Sequence, residues 1–145
     1  MRLIFLDFDG VLHPLQHEHL PLERFCWLSL LEALVCDYPD VYVVVHSTWR
    51  YEYTEPELRQ MLGSLGRRFV GCAPRAPRQQ AIEMVLQANK GVRGHLVLDD
   101  DAREFSGSSL NVLLLDPQRG LSDETAQLAV QQWLQSTPSD NYPSP

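Results

Sequence analysis

The sequence of 145 residues lacks the features that mark several classes of protein. No apolar run approaches the roughly 18 residues of a membrane span, and the apolar start at residues 3–6 is too short for a signal peptide. The three cysteines are an odd number without metal-ligand spacing, which indicates reduced thiols in a cytoplasmic protein. No repeat or linker divides the chain. The sequence therefore predicts one domain without membrane association.

Lysine is nearly absent, since Lys90 is the only one, and the net charge is −7. This balance argues against indiscriminate binding to nucleic acid or to anionic membranes. The positive charge is nevertheless concentrated, because residues 58–82 hold five arginines and no acid: Arg59, Arg67, Arg68, Arg75 and Arg78. Such a segment forms either a solvated face or a rim that attracts anionic ligands, and both interpretations stay open.

Short apolar runs alternate with amphipathic segments along the chain. The apolar runs predict five strands, at residues 3–6, 41–45, 69–72, 95–98 and 112–115. Helical periodicity predicts four helices, at residues 22–35, 55–62 and 78–88 and after an N-cap at Ser122. The alternation is typical of a three-layer, Rossmann-like α/β domain over residues 1–135, with a central, mostly parallel five-stranded sheet. The Pro- and Ser-rich residues 136–145 are predicted to form a flexible tail.

Acidic and hydroxyl side chains follow three of the predicted strands. Asp7 and Asp9 come after the first strand, Ser47 after the second, and three acids at residues 99–101 after the fourth. The carboxyl ends of parallel strands lie at one edge of a sheet, which is where ligands bind. Crowded carboxylates raise one another's pKa or need a counter-ion, and oxygen ligands alone favour Mg²⁺.

This arrangement resembles the haloacid dehalogenase-like (HAD) phosphatase superfamily over residues 1–135. The first superfamily motif, Asp-x-Asp-Gly-[Val/Thr] after the first strand, is matched by Asp7-Phe8-Asp9-Gly10-Val11. The second motif is a Ser or Thr, matched by Ser47, and the fourth is a pair of acids, matched by Asp99 and Asp100. The run Ser47-Thr48-Trp49-Arg50 and the lack of a cap domain also resemble the small HAD domains associated with RNA repair proteins.

The resemblance implies a Mg²⁺-dependent phosphohydrolase that works through an aspartyl phosphate. Asp7 is the expected nucleophile, and Asp9 is the expected general acid and base, which protonates the leaving oxygen and later activates water. Gly10 is expected to let the backbone pass close to the phosphate, and Ser47 to hydrogen-bond to the transferred phosphoryl group. The expected metal ligands are the Asp7 side chain, the Asp9 carbonyl and one acid of the fourth motif.

Two assignments within these motifs stay open. For the fourth motif, Asp100 is favoured as the metal ligand with Asp99 in support, whereas Asp101 is interpreted as the N-cap of a short turn. For the third motif, the superfamily uses a lysine near the start of the preceding helix, but Lys90 is at the far end of that helix. Arg78, at the helix start, is the favoured substitute. If neither cation reaches the acids, weak or absent turnover is expected.

Several neighbouring side chains have two interpretations each. His13 either contacts substrate or is polar surface, and a zinc site with His17 and His19 fits no familiar ligand spacing. Trp49 either packs in the core or offers a platform for base stacking. Thr48 is assigned to substrate binding, and Arg50 makes either a phosphate contact or a structural ion pair.

Neither position at which HAD enzymes commonly carry a cap has room for a folded one. About a dozen residues separate Val11 from the first predicted helix, and residues 71–77 are fewer still. An open site admits the end of a polymer, so a phosphorylated nucleic-acid terminus or protein is the expected substrate. The alternatives are a small-molecule phosphatase, such as a nucleotidase, and an idle domain kept for binding or regulation.

Overall fold

A computed structural model describes residues 1–16 and 24–136 of the chain. Its strands are β1 (Arg2–Leu6), β2 (Val41–Val45), β3 (Phe69–Cys72), β4 (Gly94–Asp99) and β5 (Val112–Leu114). Its helices are α1 (Leu28–Val35), α2 (Glu55–Met61), α3 (Arg78–Ala88) and α4 (Glu124–Ser136). None of the helices in these parts of the chain is long and apolar enough to cross a membrane. The tail predicted at residues 136–145 lies outside the described residues, except for Ser136, which ends α4.

All strand pairings in the sheet are parallel, in the order β3-β2-β1-β4-β5. The central strand is β1, whose last residue, Leu6, is in register with Val45 of β2 and Leu98 of β4. The chain moves outward through β2 and β3 and then returns to the other side of β1. This reversal leaves a crevice at the carboxyl ends of β1 and β4. The predicted α/β fold is confirmed, with a sheet that is wholly parallel.

Apolar side chains on both faces of the sheet form two buried clusters. Ile4 and Leu6 belong to a cluster that includes residues of α1, α2 and α4. Leu3 and Phe5 point to the opposite face, where their cluster includes Ile82 of α3. The sheet is therefore the middle of three layers, and packing on both faces fixes the positions of the residues that follow its strands.

The first helix begins later than the periodicity predicts. A helix from residue 22 is expected, but α1 starts at Leu28. Phe25 has a φ of 55°, which is in the left-handed region and cannot continue a right-handed helix. The apolar spacing around Phe25 therefore comes from a turn that packs on the core, and the predicted helix is wrong over residues 24–27.

The last helix begins after a different cap from the predicted one. Ser122 ends a 3₁₀ turn, and Asp123 stands in an extended conformation before α4. The Asp123 Oδ1 accepts a hydrogen bond of 2.9 Å from the amide of Thr125, which satisfies a donor of the first helical turn. Ser and Asp are similarly good N-caps, so the sequence alone does not distinguish Ser122 from Asp123. The 3₁₀ turn that ends at Ser122 makes Asp123 the residue that caps α4.

A buried ion pair joins Arg2 and Asp40 at the edge of the sheet opposite the crevice. The Arg2 Nε lies 2.6 Å from Asp40 Oδ2, and its Nη2 lies 3.1 Å from Oδ1. Arg2 is fully buried, and its Nη1 donates to the carbonyl of Leu134 in α4. Burial alone would raise the pKa of Asp40, but the hydrogen bond and charge of Arg2 outweigh it and lower that pKa.

We expect Asp40→Asn to lower the free energy of unfolding by about 3 kcal/mol, because Arg2 would stay buried without its counter-charge. Since the pKa of Asp40 is lowered by folding, the ion pair contributes fully above the unfolded value of about 3.9 and is lost as the pH falls through the folded value. Urea unfolding of both proteins at neutral pH and near pH ~3 measures this contribution. An equal difference at both pH values would contradict the assignment.

Candidate active site

The carboxyl ends of β1 and β4 bring three acids together. One carboxylate oxygen from each of Asp7, Asp99 and Asp100 lies within 4.8 Å of the others. The Asp7 amide donates to the carbonyl of Leu98 at 3.2 Å, which extends the β1–β4 pairing and sets Asp7 opposite the other two acids. The Phe8 amide donates to Asp7 Oδ1 at 2.8 Å and orients that carboxylate. Parallel pairing therefore builds this cluster directly from the sequence motifs.

Arg78, at the start of α3, supplies a positive charge to the acids. Its Nη1 lies 3.1 Å from Asp7 Oδ2 and 2.8 Å from Asp99 Oδ2. Burial alone would lower the pKa of Arg78, but the two carboxylates outweigh it and raise that pKa, so the guanidinium stays charged. Lys90, the alternative cation of the sequence, is exposed beyond the other end of α3. The geometry therefore favours Arg78 over Lys90.

Asp99 is fully buried and holds the cluster together. Its Oδ2 accepts a hydrogen bond of 2.8 Å from His46 Nε2, and its Oδ1 accepts one of 2.9 Å from the Asp101 amide. Burial alone would raise the pKa of Asp99, but His46 and Arg78 outweigh it and lower that pKa. Burial also lowers the pKa of His46, so a neutral ring donates to an ionised Asp99.

Asp7 and Asp100 face the crevice, and both have raised pKa values. Burial and then the charge of Asp99 raise the pKa of Asp7 well above its usual value, and the same two causes raise the pKa of Asp100. When all three carboxylates are ionised, the single positive charge of Arg78 leaves two negative charges in the cluster. A divalent cation would neutralise both, and the all-oxygen donor set fits Mg²⁺.

Gly10 makes room for the side chain of Asp100. Its φ is 78°, and a Cβ at this position would lie 2.3 Å from Asp100 Oδ2. The Gly10 amide donates to the carbonyl of His13 at 2.9 Å, which closes the turn after β1. Glycine is therefore required here for its backbone conformation and for space. The sequence predicts a close approach to phosphate, and the neighbour that the structure shows is the Asp100 carboxylate.

Asp9 lines the crevice and is supported from the core side by two rings. His13 Nε2 lies 2.7 Å from Asp9 Oδ1, and Trp49 Nε1 donates to Asp9 Oδ2 at 3.0 Å. His13 is fully buried, so it neither lines the crevice nor forms polar surface. Trp49 is 8% exposed, in agreement with the packing interpretation rather than a stacking platform. His17 and His19, proposed with His13 as zinc ligands, lie outside the described residues.

The residues after β2 divide between the crevice and the core. Thr48 is exposed and lines the crevice, whereas Ser47 is buried beneath it and accepts a hydrogen bond of 3.2 Å from the Trp49 amide. Arg50 does not line the crevice, because its guanidinium donates to the carbonyls of residues 46, 47, 74 and 76. These bonds connect the turn after β2 to the loop before α3. They do not support the phosphate contact or the ion pair expected at Arg50.

The crevice is an open cavity of about 490 Å³. Four acids, two arginines, one threonine and two apolar residues line it: Asp7, Asp9, Asp100, Asp101, Arg78, Arg103, Thr48, Leu15 and Pro117. Asp101 caps a short 3₁₀ turn by accepting from the Arg103 amide at 3.0 Å, as the sequence predicts. The side chain of Arg103 is 91% exposed, and its Nε and Nη2 donate to Asp101 Oδ1 and Oδ2 at 3.0 and 3.1 Å, so an ion pair stands at the mouth of the cavity.

The five arginines of the acid-free segment do not form one rim. Arg59 and Arg68 donate to backbone carbonyls of neighbouring elements. Arg67 is exposed and precedes β3, so it lies at the edge opposite the crevice. Arg75 and Arg78 follow β3 and lie at the crevice edge. Two of the five arginines are therefore placed to attract an anionic ligand to the crevice.

The sequence motifs do not reveal the contacts of His46 and Trp49. His46 directly follows β2 and lies at the same carboxyl edge of the sheet as Ser47. The position after a strand, which indicates a functional role for Ser47, therefore also indicates one for His46. Trp49 reaches Asp9 because a 3₁₀ turn, Thr48–Tyr51, directs its indole N–H toward the first loop. The apolar pattern carries no signal for that direction.

A parallel sheet whose carboxyl edge carries an Asp-x-Asp-Gly loop and a pair of acids defines a HAD-type domain. The family described as "HAD domain in Swiss Army Knife RNA repair proteins" matches residues 3–126. The chain belongs to this family, and its general class is that of HAD-type phosphohydrolases. No curated protein and no solved structure matches the chain.

Proposed function

We propose that this domain hydrolyses phosphoric monoesters with Mg²⁺ and forms an aspartyl phosphate on Asp7. The observation that carries the proposal is the contact of Asp7 with Arg78 beside two further acids at the carboxyl edge of the sheet. The side chains of Asp7 and Asp100 and the carbonyl of Asp9 would hold the metal. When bound, Mg²⁺ neutralises the acids and offsets their repulsion of an anionic phosphate.

Asp7 is oriented to act as the nucleophile. The Phe8 amide binds its Oδ1 and Arg78 binds its Oδ2, so the direction of the carboxylate is fixed from both sides. In the first step, an Asp7 oxygen bonds to phosphorus, the bond to the leaving oxygen breaks, and Asp9 gives that oxygen a proton. In the second step, Asp9 takes a proton from water as the water oxygen attacks phosphorus, which releases phosphate and restores Asp7.

The proposed substrate is the phosphorylated end of a nucleic-acid strand. Residues 12–27 separate the first loop from α1, and residues 73–77 separate β3 from α3, so both intervals are too short for a folded cap. The rim residues Leu15, Thr48 and Arg103 are exposed, so within residues 1–16 and 24–136 the crevice is accessible to a polymer end. The RNA repair proteins in the description of the family support a nucleic acid over a phosphorylated protein.

Phosphate release from a short RNA with a terminal phosphate, compared with the matching mononucleotide, tests this substrate. With Mg²⁺ at low salt, we expect kcat/KM to be about 10-fold higher for the RNA, and the advantage to shrink as salt rises because phosphate contacts release counter-ions. Excess EDTA should stop both reactions. Equal values for RNA and mononucleotide would indicate a small-molecule phosphatase, and no release from either would indicate an idle domain.

A pair of arginine variants localises the contact with the strand. Arg103→Gln removes the positive charge paired with Asp101 at the mouth of the crevice, whereas Arg67→Gln removes a positive charge at the opposite edge of the sheet. We expect Arg103→Gln to lower the ratio of kcat/KM for RNA to kcat/KM for the mononucleotide. We also expect it to reduce the slope of log(kcat/KM) for RNA against log salt concentration by about one, and Arg67→Gln to change neither quantity. Equal effects of both substitutions would contradict binding of the strand at the crevice.

A further inference from the structure

The Asp9 carboxylate is held by two ring N–H groups that come from the core. His13 Nε2 lies 2.7 Å from one carboxylate oxygen, and Trp49 Nε1 lies 3.0 Å from the other. The two rings are buried, but the Asp9 side chain is 32% exposed and lines the crevice. The carboxylate is therefore held on its core side, while its side chain reaches the crevice.

A hydrogen bond to the other ring nitrogen fixes the tautomer of His13. The Phe25 amide donates to His13 Nδ1 at 3.2 Å, so Nδ1 holds a lone pair and the proton of the neutral ring is on Nε2. Phe25 presents this amide from a left-handed backbone conformation, with a φ of 55°. A residue with a side chain rarely adopts this conformation, and such strain persists where the surrounding structure imposes it.

Aromatic packing holds the two N–H donors in place. The Phe25 ring centroid lies 5.3 Å from that of Trp49 and 5.4 Å from that of His13. The Phe8 ring, between Asp7 and Asp9 in the sequence, packs edge-on against both Phe25 and Trp49. Contacts of this kind fix ring orientation, so neither donor can turn away from the carboxylate without disturbing the others.

We propose that His13 and Trp49 are positioning residues for Asp9. They direct its carboxylate toward the leaving oxygen of a bound phosphomonoester, and His13 acts through Asp9 without touching the substrate. This inference rests on the proposed function, because it takes Asp9 as the group that protonates the leaving oxygen. Misplacing such a group slows reactions with poor leaving groups most, since a good leaving group departs without a proton.

Three substitutions distinguish the effect of losing an N–H donor from the effect of losing the ring. His13→Asn keeps an acceptor near the position of Nδ1 but loses the donor to Asp9, whereas His13→Gln keeps a donor near the position of Nε2. Trp49→Phe keeps an aromatic ring and loses the indole N–H. Each variant is assayed with Mg²⁺ on p-nitrophenyl phosphate, which has a good leaving group, and on glycerol phosphate, which has a poor one.

We expect His13→Asn and Trp49→Phe to lower kcat/KM for glycerol phosphate by about 10- to 100-fold, and for p-nitrophenyl phosphate by less than about 3-fold. His13→Gln should recover most of the loss. Because both substrates are assayed on the same protein sample, the ratio of the two kcat/KM values does not depend on the fraction of folded enzyme. Tyr53→Phe is the matched control: its ring packs 5.6 Å from Trp49, and the ratio should not change.

Asp9→Asn distinguishes failure of this inference from failure of the proposed function. If Asp9→Asn slows both substrates equally, Asp9 is not the acid, and both the proposed role of Asp9 and the positioning role are overturned. If Asp9→Asn is selective for glycerol phosphate but His13→Asn and Trp49→Phe are not, the positioning role alone is overturned. In the Asp9→Asn background, His13→Asn should leave the ratio unchanged, and a further change would also contradict positioning through Asp9.

Discussion

Asp7→Asn should abolish phosphate release while the protein stays folded. We expect kcat/KM with Mg²⁺ to fall by at least about 10⁴-fold, because an amide cannot form the acyl phosphate and removal of a nucleophile costs this much or more. The assay is release of inorganic phosphate from p-nitrophenyl phosphate and from the RNA substrate. Asp37→Asn, which changes an exposed acid outside the crevice, should retain wild-type activity.

The same substitution should stabilise the metal-free protein. Burial and the charge of Asp99 raise the pKa of Asp7, so its ionised form destabilises the folded state at neutral pH. This penalty is absent below the unfolded pKa of about 3.9 and grows as the pH rises toward the folded value. We therefore expect Asp7→Asn to gain about 1 kcal/mol, or about 3 °C in Tm, at neutral pH.

Thermal unfolding in EDTA, followed by circular dichroism, measures this gain. The difference in Tm should narrow as the pH is lowered toward ~4, because both proteins then carry an uncharged group at this position. Added Mg²⁺ should raise the Tm of the wild type more than that of Asp7→Asn, since the variant has lost a ligand. A variant that is less stable than the wild type at neutral pH would contradict the raised pKa, and residual turnover near the wild-type rate would contradict the nucleophile.

Arg78→Met should cause the second largest loss. We expect kcat to fall by about 10²- to 10³-fold, because the cation that contacts Asp7 and Asp99 would no longer offset charge on the phosphoryl group. Arg78→Lys should recover part of this loss, since an ammonium keeps the charge but not the planar fork. Lys90→Met is the matched control and should have no effect, because Lys90 is exposed beyond the far end of α3.

The metal dependence of Arg78→Met distinguishes lost charge from a damaged fold. Removing a positive charge beside three carboxylates should lower the Mg²⁺ concentration for half-maximal activity, even though kcat falls. A distorted site would raise that concentration instead. Activity titrations with Mg²⁺ on p-nitrophenyl phosphate measure both quantities. A loss of activity in Lys90→Met, with Arg78→Met near the wild-type rate, would reverse the assignment of the third motif.

The strands could be predicted because continuous apolar runs between turn residues have few other interpretations. Given five parallel strands, residues that directly follow a strand lie at one edge of the sheet, which places Asp7, Ser47 and Asp99 together. Arg78 could be chosen over Lys90 because a helix that follows a strand begins at the carboxyl edge of the sheet. Arg78 begins α3 after β3, whereas Lys90 follows the other end of α3. These predictions depend only on the order of the strands and helices and on the direction of the chain through them, and both can be read from the sequence.

Side-chain direction and backbone strain could not be predicted in the same way. The left-handed Phe25 ends the helical path, and its spacing looks helical because the turn still packs apolar residues on the core. The guanidinium of Arg50 is committed to four backbone carbonyls, which follow from the path of a loop rather than from local sequence. The N–H contact between Trp49 and Asp9 likewise depends on a short turn that has no apolar periodicity.

The space beside Gly10 couples the first loop sterically to the acid that follows β4. A methyl group at position 10 would overlap the Asp100 carboxylate. A larger residue at position 10 is therefore incompatible with a side chain as long as aspartate at position 100. A descendant of this domain that abandoned catalysis could acquire a larger residue in the first loop most easily after the acid had shortened. The shortening of the acid would thus come first, and the φ of 78° at position 10 would still disfavour any residue with a Cβ.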